Sequence, residues 1–142
     1  MTVDKNWKGC IPLRKLVEVS AGLIEGKTIQ FQVNAAEPAE AVEAAGKMLT
    51  DTEACAFVYL ADTGTEYIYV HFKDHTWPLL AEALKRTEVV PLLVWGKQIM
   101  PLDAFHEELG MLLENIEGND NYAEEFRTAV EEVFHERLAS QA

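Results

Sequence analysis

Four histidines, two cysteines and a surplus of carboxylates are the groups through which this chain could do metal, nucleophilic or acid–base chemistry. His71 and His75 stand four apart, the spacing that sets two imidazoles on one helical face for a metal ion. His71, however, closes a predicted strand and His75 opens a predicted helix, so the spacing gives no shared face. No further Cys or His pair completes a tetrahedral set, and an ordinary strand-end histidine is the plainer reading. Neither a metal nor a cofactor is expected. Cys55 lies in an apolar run and reads as a buried small hydrophobe. Cys10 lies close to the N-terminus, so neither thiol is placed beside a histidine as nucleophilic catalysis requires. The run Glu117-Gly118-Asn119-Asp120-Asn121-Tyr122 is rich in oxygen ligands. A helix–loop–helix calcium site needs alternating Asp or Asn, a central Gly and a distant Glu. Here the glycine comes first and the loop is too short, so the run reads as the end of one helix and the cap of the next. The eight glycines are scattered and form no phosphate loop. Glu107, Glu108, Glu124, Glu125, Glu131 and Glu132 read as solvated helix faces. No catalytic residue is assigned.

One constellation is less ordinary. Alternation through residues 66–72 sets Tyr67, Tyr69 and His71 opposite Ile68, Val70 and Phe72. The strand at residues 55–60 carries Phe57 and Tyr59, and Tyr59 is taken to extend the first group. Tyr59, Tyr67, Tyr69 and His71 are therefore the candidate interaction surface: apolar rings with polar tips, the character of many protein interfaces. Two readings stay open, an exposed binding face and a second core layer covered by a helix.

The elements that must position these residues follow from hydrophobic period. Residues 16–21 and 28–33 alternate as half-buried strands do, with Ile29, Phe31 and Val33 on one face and a turn at Glu25-Gly26. Residues 37–48, rich in Ala and Glu with Pro38 in the first turn, predict a helix. Residues 55–60 and 66–72 predict a second hairpin. Residues 74–86 predict a helix capped by Asp74 or Thr76, with Trp77, Leu80, Ala81 and Leu84 at helical spacing and Pro78 in its first turn. Residues 89–95 and 98–102 flank Gly96-Lys97, a type II′ hairpin signal, and Pro91 and Pro101 argue for edge positions or bulges. Residues 103–117 predict a helix capped by Asp103, with Leu102, Phe105, Leu109, Leu112, Leu113 and Ile116 in one stripe. Asn119 or Asn121 then caps a last helix to about residue 138, with Tyr122, Phe126, Val130, Val133, Phe134 and Arg137 in its stripe. These two helices form an αα-hairpin. The expected class is α+β: a mainly antiparallel sheet of about six strands in hairpins, a helix between hairpins and the C-terminal αα-hairpin.

The 142 residues match one domain, with residues 1–12 as a mobile terminal segment, and are enough to bury a core without staples. The formal charge of −12 disfavours nucleic acid and anionic membrane surfaces. It is concentrated: residues 103–142 hold 11 acidic and 2 basic side chains, a net of −9. Residues 1–9 contain no apolar signal core, no stretch approaches the ~20 apolar residues that span a bilayer, and a cytoplasmic location is expected.

The run from Glu114 to Phe126, Glu-Asn-Ile-Glu-Gly-Asn-Asp-Asn-Tyr-Ala-Glu-Glu-Phe, resembles an uncharacterised protein family of small cytosolic proteins from bacilli and related Gram-positive bacteria. The likeness extends back through Leu49-Thr50-Asp51, Phe57-Val58-Tyr59-Leu60, Tyr67-Ile68-Tyr69-Val70, Trp77 and Glu82-Ala83-Leu84, covering residues 48–134. The N-terminal third is expected to match poorly and to be longer than in typical members. The resemblance implies no activity and no site residues.

A non-enzymatic binding or regulatory protein, acting through a protein partner or a homodimer, is the expected function. A small-molecule-binding or enzymatic domain with a pocket between sheet and helices is the alternative. An acidic nucleic-acid mimic is the third.

Overall fold

Seven segments of half-buried or buried alternation pair into one curled sheet in the computed structural model, which describes residues 15–36, 38 and 40–135. The strands are β1 (Lys15–Glu25), β2 (Thr28–Val33), β3 (Glu43–Asp51), β4 (Ala56–Asp62), β5 (Tyr67–Lys73), β6 (Leu92–Trp95) and β7 (Gln98–Pro101). Their spatial order is β3-β4-β5-β1-β2-β6-β7. Antiparallel pairs join β3 to β4, β4 to β5, β1 to β2 and β6 to β7, and parallel pairs join β1 to β5 and β2 to β6. The fold is α+β, and the first hairpin forms the centre of the sheet.

The helix expected over residues 37–48 is not formed; Glu43–Asp51 is the strand β3. Its alternate residues differ in exposure as the two faces of a strand do, and its register to β4 shifts between Ala44 and Met48. Gly46, inside that shift, has φ +69, a conformation that interrupts a helix and suits a bulge. The Gly96-Lys97 loop is confirmed as a two-residue hairpin turn, Gly96 having φ +63. Pro101 sits on β7, at one end of the strand order.

α1 (Trp77–Lys85) follows a single 3-10 turn and crosses the central hairpin between β5 and β6. Its approach is close: a Cβ on Gly22 of β1 would lie 2.8 Å from Leu79 Cδ1. The expected side-chain caps are absent. Thr76 Oγ1 donates to Lys73 O at 2.7 Å and makes no cap bond to the helix. α2 (Phe105–Ile116) begins after Ala104 at φ +62, not at Asp103. α3 (Glu124–Val133) begins after Ala123, because Asn119 Oδ1 accepts from Asn121 N in a local turn. Residues 1–14, with the segment expected to be mobile and Cys10, lie outside the described residues, as do residues 136–142 with Arg137; α3 ends at Val133, short of the expected residue 138.

The helices cover one face of the sheet. Phe57 meets Trp77 at a ring separation of 5.1 Å and Phe134 at 5.8 Å, while Trp77 meets Phe126 at 5.9 Å. Phe31 meets Phe72 edge-on at 5.2 Å. Burying these rings in mutual contact supplies hydrophobic stabilisation and favourable ring electrostatics. Trp77 Nε1 donates to Phe72 O at 2.9 Å, so its buried N–H is satisfied. On α2, Phe105, Leu109, Leu113 and Ile116 are buried, and Leu112 is half-buried.

Candidate functional site

Register decides which side chains share a face. Tyr59 pairs with Val70 and Phe57 with Phe72, so all four point to the helix-covered side. Val58 pairs with His71, Leu60 with Tyr69 and Asp62 with Tyr67, and these point the other way. The assignment of Tyr59 to the Tyr67–Tyr69–His71 group is therefore corrected. Tyr59 is 0% exposed and its hydroxyl donates to Asp103 O at 2.6 Å. Burial pushes its phenol up to about 12, with the carboxylates of Asp103 and Glu108 adding to the shift and the Gly46 backbone opposing it.

The outer face keeps the other three residues together. Tyr67 is 50% exposed, Tyr69 half-buried and His71 only 2% exposed. The parallel register with β1 brings Leu16 beside Tyr69 and Glu18 beside His71. The ion pair Lys73–Glu18, at 3.3 Å, lies on this side. His71 Nε2 donates to Asp51 Oδ2 at 3.0 Å, and its Nδ1 lies 3.5 Å from Tyr69 O. Asp51 is held in turn by the β3–β4 turn, where Ala54 N donates to its Oδ1 at 3.1 Å. This Asp51–His71 pair, 20 residues apart, was absent from the sequence reading.

Above the pair lies an open recess of about 560 Å³. Tyr69, His71 and Val58 form its sheet side, and residues 49–53 form its rim, with Asp51 and Glu53 contributing carboxylates. The recess is thus on the sheet face away from the helices, not between sheet and helices as the enzymatic alternative required. It can receive a group that stacks on an aromatic ring and answers negative charge.

The other groups singled out by type have structural partners or stand apart. His106 Nε2 donates at the end of α1, lying 3.2 Å from Ala83 O and 3.1 Å from Arg86 O. His75 is exposed in the 3-10 turn. Cys55 is partly buried at φ +54, and burial followed by the charge of Asp74 raises its thiol pKa. Arg127 Nη1 donates to Asn119 O and to Asp120 Oδ1, both at 3.1 Å, so an arginine answers oxygens of the Glu117–Tyr122 run. Among the described residues, no three His, Cys, Asp or Glu side chains converge as metal ligands, and no helix is long and apolar enough to cross a membrane.

Comparison with known proteins matches residues 17–134 to the model of UPF0738, a family of unknown function. The match therefore reaches back through β1, beyond the start at residue 48 expected from the quoted motifs. A UPF0738 protein of Lysinibacillus sphaericus is 34% identical over 127 residues, 89% of this chain and 99% of the relative. One of Geobacillus kaustophilus is 40% identical over 114 residues, 80% of this chain and 90% of the relative. The UPF0738 protein YjbL of Bacillus subtilis is 41% identical over 90 residues, 63% of this chain and 72% of the relative. No solved structure matches.

Proposed function

The chain belongs to the UPF0738 family of unknown function, and from that premise we propose that it is a non-enzymatic binding protein that receives a basic segment of a partner protein. The observation that carries this reading is the recess on the outer face of β3, β4 and β5, with Tyr69 at its side and Asp51 and Glu53 at its rim. A lysine or arginine entering it would lie on the Tyr69 side of the recess with the Glu53 carboxylate at the rim, and Asp51, while bonded to His71 and Ala54 N, would add its negative charge nearby. Exposed Tyr67, Leu16 and Leu49 flank the recess and offer contact area at its margin. The net charge of −12 steers a basic partner toward the molecule. A general base must present a ring nitrogen to its substrate. In His71, Nε2 is engaged by Asp51 and Nδ1 faces the Tyr69 carbonyl, which favours a positioning role within a binding surface.

The test is retention of the chain on an array of lysine- and arginine-containing peptides, with acidic peptides as controls. Binding to a subset of basic peptides, weakened by salt, is expected. Tyr69→Ser should lower affinity roughly three- to thirty-fold, the range of one cation–π contact, and Glu53→Lys should weaken binding while leaving the denaturation midpoint close to that of the parent. Equal retention of acidic and basic peptides would remove the proposal.

A further inference from the structure

A second outer surface differs in kind from the recess. Across β1, β2, β6 and β7, register places Leu23 opposite Gln30, Gln30 opposite Leu92, Gln32 opposite Val94 and Val94 opposite Ile99. Ile29, Phe31, Val33, Leu93 and Trp95 are buried, so these partners point away from the core. Leu23 is 47% exposed and Ile99 61% exposed. Over the stretch of β1 that pairs with β2, the outward positions Ala21, Thr28 and Pro101 are also uncharged. Glu25, opposite Thr28, and Lys27 stand at one hairpin end, Lys97 at another, and outward Glu18 lies further along β1 beside β5, paired with Lys73.

We infer that this face is the contact between two copies of the chain. Charge selects the occupant. In a two-fold contact the same patch meets itself, so a charge near its centre meets a like charge. A chain of net −12 can associate with its own copy most readily where its surface carries no charge, and the centre of this four-strand face meets that condition, its carboxylates Glu18 and Glu25 lying at its margins. Leu23, Leu92, Val94 and Ile99 supply apolar surface, while Gln30 and Gln32 supply amides that can both donate and accept across a symmetric interface. The β7 edge is less suited to strand addition. Pro101 lacks an N–H, and Gln98 binds the chain's own segment through Val42 N at 3.0 Å and Glu40 O at 3.0 Å. The second copy therefore docks face to face. This contact is independent of the basic-peptide recess, so either can fail without the other.

Sedimentation of the full chain over a range of concentrations tests it. The wild-type mass should rise toward that of two chains. Leu23→Lys and Ile99→Lys should each hold it at one chain with little change in thermal midpoint, and Ile99→Gln should weaken association less. Met111→Lys, at an exposed position on α2, should leave association unchanged. A photoreactive side chain in place of Ile99 should cross-link one copy to β1, β6 or β7 of the other. A wild-type chain that stays monomeric at its highest soluble concentration would overturn the inference. So would a dimer that persists in both lysine variants, or cross-links that fall within one chain on residues 1–14 or 136–142.

Discussion

The Tyr59 phenol joins β4 to the start of α2, its hydroxyl donating to the Asp103 carbonyl at 2.6 Å. Removing that hydroxyl in Tyr59→Phe leaves the carbonyl without this donor and is expected to cost about 1 kcal/mol at neutral pH in urea denaturation. The pH dependence has a definite sign. The folded phenol is raised to about 12 from 10.0, so the folded state holds this proton more tightly than the unfolded state. The resulting stability is complete below the unfolded value and disappears as pH rises through the folded one. Between these pH values the parent should lose on the order of 2 kcal/mol that Tyr59→Phe does not lose. The gap between the two should close or invert, and a gap that stays constant to pH 12 would show that Tyr59 ionises as freely in the fold as outside it. The same residue shows why the site was only partly legible in the sequence. All residues of β4 but Asp62 are buried, on both faces, so its run Ala-Phe-Val-Tyr-Leu-Ala offers no polar alternation to orient Tyr59. In β5, exposed Tyr67 and half-buried Tyr69 mark the outer face, and alternation alone puts His71 on that face with them. The Asp51 partner of His71 was invisible because it depends on strand pairing between segments 20 residues apart.

At the level of elements, the strongly apolar hairpins and amphipathic helices were readable, and the exceptions have local causes. Ala and Glu favour a helix in isolation, yet residues 43–51 join a sheet because β4 offers a partner along their length and Gly46 absorbs the bulge. Thr76 stands at the N-cap of α1 as expected, but its hydroxyl binds Lys73 O and not the helix; α3 starts later than expected, with Asn119 occupied by the turn to Asn121. The buried stripe of α2 runs through Leu109 and Leu113, with Leu112 at its margin. Leu113→Ala is therefore expected to cost about 2–5 kcal/mol, and Leu112→Ala clearly less, when both are compared by denaturant midpoint at constant slope. A larger loss at Leu112 would mean that α2 is rotated about its axis. The crossing of α1 over β1 sets a second expectation. Gly22→Ala drives a methyl to 2.8 Å from Leu79 Cδ1 and 3.2 Å from Gln30 O. A third contact, Phe31 Cδ1 at 3.1 Å, is a buried core ring; only Leu79 is a flexible side-chain end, so a loss of about 1–3 kcal/mol is expected. Combining it with Leu79→Ala should recover part of that loss, since the mobile clash is then removed.

For the whole molecule, the question is what holds the two ends of a seven-strand order together. β3 and β7 are first and last in that order, and the segment leading into β3 is bound to β7 through one side chain. Gln98 Oε1 accepts from Val42 N at 3.0 Å, and Gln98 Nε2 donates to Glu40 O at 3.0 Å and Pro38 O at 3.3 Å. Trp95 Nε1 adds 3.1 Å contacts to the carbonyls of Ala35 and Ala36. The amide oxygen and amide nitrogen of Gln98 thus answer groups of both polarities, which neither a carboxylate nor an ammonium could do alone. Gln98→Glu keeps the acceptor for Val42 N but sets a negative oxygen against two carbonyls, whereas Gln98→Ala removes all three bonds. Both are expected to speed amide exchange at Val42 and across the first residues of β3. The central pair of β1 and β2 should keep its protection, because that pair does not depend on the closure. Global stability should fall by about 1–2 kcal/mol, since these groups are part-exposed and water replaces some of what is lost. Unchanged exchange at Val42 in Gln98→Ala would show that the sheet curls through its own twist and the apolar core, with Gln98 only following that shape.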